Sequence, residues 1–129
     1  MRYLGIDYGD KRVGLALSDD EGTLGMPHKT IENKDLIKSL KKTISEENVK
    51  MVIVGLPLNL SMQKTEQTKK VERFKVELKR AINIPVDFEN EFLTSVQAER
   101  SGVEKEKIDE ASAAIILQSY LDKIEAQNL

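Results

Sequence analysis

The sequence has no cysteine, no tryptophan and a single histidine. Without cysteine there can be no disulfide, no thiol nucleophile and no cysteine-ligated zinc. With His28 alone, a histidine-rich metal site has no material, and a Ser-His-Asp triad is a poor reading. Aromatic residues are also scarce, at three tyrosines and three phenylalanines. A core must then be built from Ile, Leu, Val and Ala. No apolar run approaches the roughly 20 residues that span a bilayer. The N-terminus lacks the basic-then-apolar layout of a secretion signal. Both absences point to a cytoplasmic protein with no membrane partner. Neither sign of charge dominates, and the net charge is −2. Any binding of nucleic acid must therefore come from local basic patches or from bound cations rather than from a basic chain.

What is present is ordinary globular material, 40% hydrophobic and 33% charged over 129 residues. That length suits one domain, residues 1–129, around one core. Residues 2–7 and 12–18 are apolar-rich runs separated by Tyr8-Gly9-Asp10-Lys11, a tight-turn composition. In the second run Val13, Leu15 and Leu17 alternate with Arg12, Gly14, Ala16 and Ser18, the period of a half-buried strand. A turn at 19–22 leads to a third strand over 23–31, which completes an antiparallel meander. Leu36, Leu40 and Ile44 recur every four residues and predict a helix over 33–48, with Asn33 as its N-cap. The continuous apolar run Met51-Val-Ile-Val54 suits a central parallel strand covered on both faces. A helix over 63–82, a strand over 85–88, a short helix over 94–101 and a longer one over 108–125 follow. The order β-β-β-α-β-α-β-α-α implies an α/β fold. Its mixed five-stranded sheet has three antiparallel strands first and is flanked by helices. Ligands of such sheets gather at the carboxyl ends of the central strands.

Three acids stand out. Asp7 sits where a buried strand meets a turn, so its charge needs a cation or strong donors nearby. It reads equally well as a turn former. Glu91 follows the last predicted strand, where Glu89 and Glu91 also read as solvated loop charges. Asp109 lies at the head of the apolar helix, where an acid complements the helix dipole. The buried face of that helix is expected to carry Ile108, Ala111 and Ile115, and periodicity does not decide whether Asp109 or Glu110 turns inward. All three positions fall near one edge of the proposed sheet. Acids that converge there could hold one or two Mg²⁺ or Mn²⁺ ions. Two such ions about 3.5–4 Å apart can activate water and stabilise the leaving oxygen of a phosphodiester.

Three segments together resemble the YqgF/RuvX family, whose members are described as Holliday junction resolvases and as nucleases maturing the 5′ end of pre-16S rRNA. They are Leu4-Gly-Ile-Asp-Tyr-Gly-Asp-Lys-Arg-Val-Gly-Leu-Ala-Leu-Ser-Asp19, Val54-Gly-Leu-Pro-Leu-Asn59, and Lys107-Ile-Asp-Glu-Ala-Ser-Ala-Ala-Ile-Ile-Leu-Gln-Ser-Tyr-Leu121. The resemblance covers nearly the whole chain. It implies an RNase H-like fold and catalytic, metal-binding acids at Asp7, Glu91 and Asp109. It also selects Asp109 over Glu110. The implied activity is metal-dependent phosphodiester hydrolysis in structured RNA or branched DNA, by a monomer or a homodimer.

The chain departs from the family in places. The family's usual Asp-Glu-Arg-Leu-Thr-Thr stands here as Asn90-Glu-Phe-Leu-Thr-Ser95. Glu91 is kept, but Phe92 cannot clasp a phosphate as an arginine does. A second reading is therefore a nucleic-acid-binding relative with weak or no cleavage. Ser61-Met62 stands where Asp-Gly is common, and Asp10 where a small hydroxyl residue is common. The cations available for phosphate are Lys11 and Arg12 in the first hairpin and Lys64, Lys69, Lys70 and Arg73 near the second helix. Each also reads as part of a solvated face. A third reading is a fragment of a sugar kinase or actin-like ATPase. It draws on the Asp7-Tyr-Gly9 turn, but the short length argues against it.

Overall fold

The computed structural model describes residues 1–91 and 108–127. Phe92 and the helix expected over 94–101 lie outside the described residues. The elements are β1 (Arg2–Tyr8), β2 (Arg12–Ser18), β3 (Gly25–Glu32), α1 (Leu36–Glu46), β4 (Val49–Pro57), α2 (Glu66–Ala81), β5 (Val86–Glu91) and α3 (Ile108–Gln127). The strands form one sheet in the order β3-β2-β1-β4-β5. β1 pairs antiparallel with β2 and parallel with β4. β2 and β3 are antiparallel, and β4 and β5 are parallel. The expected mixed sheet with its antiparallel meander is what forms.

Two of the expected boundaries need correction. The last strand does not stop at Phe88 but runs on to Glu91. Asn33 does not cap α1. Asp35 takes the cap position in a left-handed conformation, with φ 51° and no side-chain cap bond. The Asn33 amide instead donates to the Gly9 carbonyl at 2.7 Å, which ties the first hairpin to the start of α1. The start of α2 is well capped. Thr65 accepts from the Thr68 backbone N–H, and the Thr68 side chain accepts from that of Thr65. The buried Thr68 hydroxyl also donates to the Pro57 carbonyl, fastening α2 to the end of β4.

Successive strand side chains point to opposite faces, and here the two faces differ in size. Leu4, Ile6, Val13, Leu15, Leu17, Val52 and Val54 form one core cluster with Leu40, Val71, Phe74 and Leu78 of α1 and α2. On the other face Ala16 and Ile53 meet Ala113, Ile116, Leu117 and Leu121 of α3. Small residues let α3 come close. A Cβ on Gly5 would stand 2.8 Å from Leu117 Cβ and 3.0 Å from the Ala113 carbonyl oxygen. A Cβ on Gly14 would collide with the Asp109 carbonyl oxygen, so only glycine admits the head of α3 there.

That close approach sets the rotation of α3. Ser112, Ala113, Ala114, Ile116, Leu117 and Leu121 are its buried residues. Ile108, Ala111 and Ile115, expected inward, are only half-buried. A helix that is apolar nearly all round gives periodicity nothing to read. The shallow pits in the sheet decide instead.

Candidate active site

Asp7 is the next-to-last residue of β1 and stands opposite Gly14 in the β1–β2 register. Gly5 faces α3, so the two-residue period puts Asp7 on the same face. In β5, Asp87, Glu89 and Glu91 share that face. Tyr120 of α3 donates to Asp87 at 2.9 Å, and Ser119 and Lys123 reach Glu89 at 2.8 Å and 2.6 Å. Glu91 ends this column, opposite Pro57 in the β4–β5 register. Asp109 is in the first turn of α3, whose backbone rests against Gly14. Three elements thus deliver one acid each to the carboxyl edge of β1.

The Asp7 and Glu91 side chains share a hydrogen bond. Burial penalises the Asp7 charge, and Glu91 and Asp109 repel it further, which pushes its pKa from 3.8 up to about 9. Burial also raises Glu91, partly offset by the bond from Asp7. The pair is thus pushed toward holding a proton between its two carboxyls. Asp109 is close enough to repel Asp7, yet its Oδ2 accepts from Arg12 Nε at 2.9 Å. The structure brings Asp7 and Glu91 into contact and leaves Asp109 beside them in a separate ion pair. No group of three acids among the described residues is closed around a point that would suit a metal.

The donor set nevertheless fits a hard divalent cation. Two carboxylates crowded enough to hold a proton between them, with a third alongside, offer oxygen ligands only. A divalent cation in place of that proton removes the repulsion that raises Asp7. Nitrogen and sulfur ligands are missing, which disfavours zinc and copper.

Four of the expected phosphate-binding cations are already engaged. Arg12 pairs with Asp109, Lys64 with Glu72 at 2.8 Å, Lys69 with Glu66 at 3.4 Å and Lys70 with Asp10 at 3.0 Å. Lys11 and Arg73 are exposed. Exposed pairs of this kind are weak and exchange readily for a phosphate. The Lys70 pair also offsets the extra negative charge of Asp10 beside the site.

A strand that stops at Phe88 makes Glu89 read as a loop charge. Glu89 is 4% exposed and is the buried carboxylate that clamps β5 to α3. Its signal was the alternation Asp87, Glu89, Glu91, had the strand been continued. A groove of about 610 Å³ lies away from the acids, between α1 and α2, and is lined by residues that include Tyr8, Phe74, Lys38 and Lys41. Its acids are Asp35 and Glu77, and none of Asp7, Glu91 and Asp109 lines it, so the site is marked by its carboxylates rather than by a deep cavity.

The fold is that of RNase H-like resolvases. The fowlpox virus resolvase bound to Holliday junction DNA superposes with a TM-score of 0.61 at 16% identity, covering 96% of this chain and 99% of that one. RuvC of T. thermophilus in complex with a Holliday junction substrate gives 0.57 at 11% identity, covering 96% of each. At the level of sequence, residues 1–123 match the family described as RuvX, Holliday junction resolvase. A protein of Thermoanaerobacter pseudethanolicus named "Putative pre-16S rRNA nuclease" is 42% identical over 95% of this chain and 96% of its own length. The chain belongs to the RuvX family.

Proposed function

We propose that this chain, acting as one domain in the cytoplasm, is a divalent-metal-dependent endonuclease that matures the 5′ end of pre-16S rRNA. The observation that carries this reading is the convergence of Asp7 and Glu91, with Asp109 beside them, at the carboxyl edge of the sheet. The names of the family's relatives supply the rRNA substrate.

Asp7, Glu91 and Asp109 are the residues that would hold one or two Mg²⁺ or Mn²⁺ ions. Bound there, the ions would lower the pKa of water and stabilise charge on the phosphate oxygens. The chain's own part is positional. Gly14 lets the head of α3 seat Asp109 against the sheet. Glu89 fixes β5 to α3 and so fixes the direction of Glu91. Arg12 is placed to exchange its Asp109 carboxylate for a substrate phosphate. Lys11, Lys64, Lys69, Lys70 and Arg73 would contact the sugar-phosphate backbone.

A second reading, resolution of four-way DNA junctions, draws on the shape shared with the resolvases. It would favour a two-fold dimer, whereas trimming one RNA end needs only a monomer. One experiment separates the two. The protein is incubated with a pre-rRNA 5′-leader substrate and with a four-way junction, in Mg²⁺, Mn²⁺ or EDTA, beside Asp7→Asn. Metal-dependent cleavage of the leader, lost in the variant, is expected. Equal cleavage by the variant would sink the role of Asp7. Failure to cut either substrate would favour a binding protein.

A further inference from the structure

We propose that Leu60 and Met62 form a rigid apolar wedge that enters the base stack of a nucleic acid lying across the acidic edge. The proposal rests on the reading that nucleic acid binds there.

The two residues sit at the tip of a three-residue hairpin between β4 and α2. Leu58 and Lys64 bridge its base, and the Asn59 N–H donates to the Gln63 carbonyl at 3.1 Å. The Met62 N–H closes the turn on the Asn59 carbonyl at 2.9 Å. The Asn59 side-chain oxygen accepts from the Ser61 and Gln63 N–H groups, both at 2.9 Å. Met62 takes the left-handed position such loops require, with φ 63°. Both ends are anchored, one at Pro57 by the Thr68 hydroxyl and the other by the Thr65 cap.

Two features are unexpected in such a turn. The left-handed position suits glycine, and a residue with a Cβ there costs about 1 kcal/mol or more. The side chains also return nothing to the core, since Leu60 is 77% exposed and Met62 58%. Apolar bulk is thus held in water on a stiff support.

Its place says what it meets. The Leu58 N–H points to the Glu91 carbonyl, at 3.5 Å, so the loop leaves the sheet beside the acids. Lys64 and Lys69 follow it in sequence. A strand whose phosphates lie on these cations and on the acidic edge presents its bases to the tip. Apolar side chains of this type unstack base steps in duplexes they kink.

The test uses the full chain, Ca²⁺ in place of Mg²⁺, and 2-aminopurine placed at the branch point of a four-way junction and beside the leader's cleavage position. Wild-type protein is expected to raise the emission severalfold. Leu60→Ser with Met62→Gly is expected to abolish the rise and weaken binding about tenfold. The slope of affinity against salt should stay unchanged, because no phosphate contact is lost. Glycine suits φ 63°, so this variant should melt no lower than wild type. An unchanged rise and affinity in the variant would overturn the wedge. So would a tip that serves copies of the chain, seen as a variant that sediments lighter while emission is unchanged. Cleavage measured in parallel keeps the two readings apart. Wild-type cleavage without any emission response defeats the wedge alone. A response that needs Leu60 and Met62, without cleavage, defeats the nuclease alone.

Discussion

Burial, reinforced by the nearby Glu91 and Asp109, pushes the Asp7 carboxyl well above its ordinary range in the metal-free protein, and this has a thermodynamic signature. Its pKa rises from 3.8 to about 9 on folding, so the folded state binds the proton more tightly than the unfolded chain does. The stability this group contributes is full below about pH 4 and is lost as pH climbs through about 9. Metal-free protein should therefore melt at falling temperature across that window, with a ceiling of about 1.4 kcal/mol per pH unit. Asp7→Asn should flatten the profile and melt higher than wild type at pH 8. A divalent cation should raise the wild-type melting temperature at pH 8 far more than that of the variant. Thermal melts in EDTA and in Mn²⁺ across pH decide both points, and a wild-type profile as flat as the variant's would rule out the shared proton. Arg12 is testable at the same scale. Its pair with Asp109 is largely exposed on the arginine side, so Arg12→Gln should alter stability by less than about 1 kcal/mol. Its loss should lower the salt slope of RNA binding by about one contact, read from a titration series.

At the scale of elements, the site depends on how α3 lies on the sheet. The Asp109 carbonyl occupies the space a Gly14 side chain would need. Gly14→Ala must push the head of α3 outward, at a cost of about 1–3 kcal/mol. Displacing Asp109 by even an ångström should lower cleavage about a hundredfold. Urea unfolding and single-turnover cleavage on the same preparation check both numbers. A variant with wild-type cleavage would show that α3 placement does not set the rate. The clamp at the other end is Glu89, whose side chain is 5% exposed while that of Lys123 is 62% exposed. Lys123→Met leaves a buried carboxylate with Ser119 as its one remaining partner among the described residues, which should cost about 1–3 kcal/mol. Glu89→Gln should cost less, because no charge is left behind. A double-mutant cycle in urea, with coupling near zero, would refute the clamp.

For the molecule as a whole, the question is how a chain with a net charge of −2 approaches a polyanion. Of the six candidate cations, Arg12, Lys64, Lys69 and Lys70 are paired with Asp109, Glu72, Glu66 and Asp10, pairs that phosphate must compete with. Lys69→Glu with Lys70→Glu should reduce RNA affinity and flatten its salt dependence by about two contacts, with stability changed by less than about 1 kcal/mol. An unchanged salt slope in filter binding would remove α2 from the path. No helix among the described residues is long and apolar enough to cross a membrane.

The sequence by itself determined the order of the strands in the chain, the antiparallel start of the sheet and the apolar run of β4. Those follow from the two-residue and four-residue periods that local geometry imposes. The family resemblance also proposes Asp7, Glu91 and Asp109 as site acids, with Asp109 over Glu110, where the helical pattern alone is silent. Tertiary structure decided the rest. The rotation of α3 depends on pits at Gly5 and Gly14, residues far from α3 in sequence. The end of β5 depends on pairing with β4, which carries an acid-rich strand past the point where its composition reads as a loop. The raised pKa of Asp7 comes from its burial and from Glu91 and Asp109 reaching the same edge, and both are properties of distance in space, not of spacing in the chain.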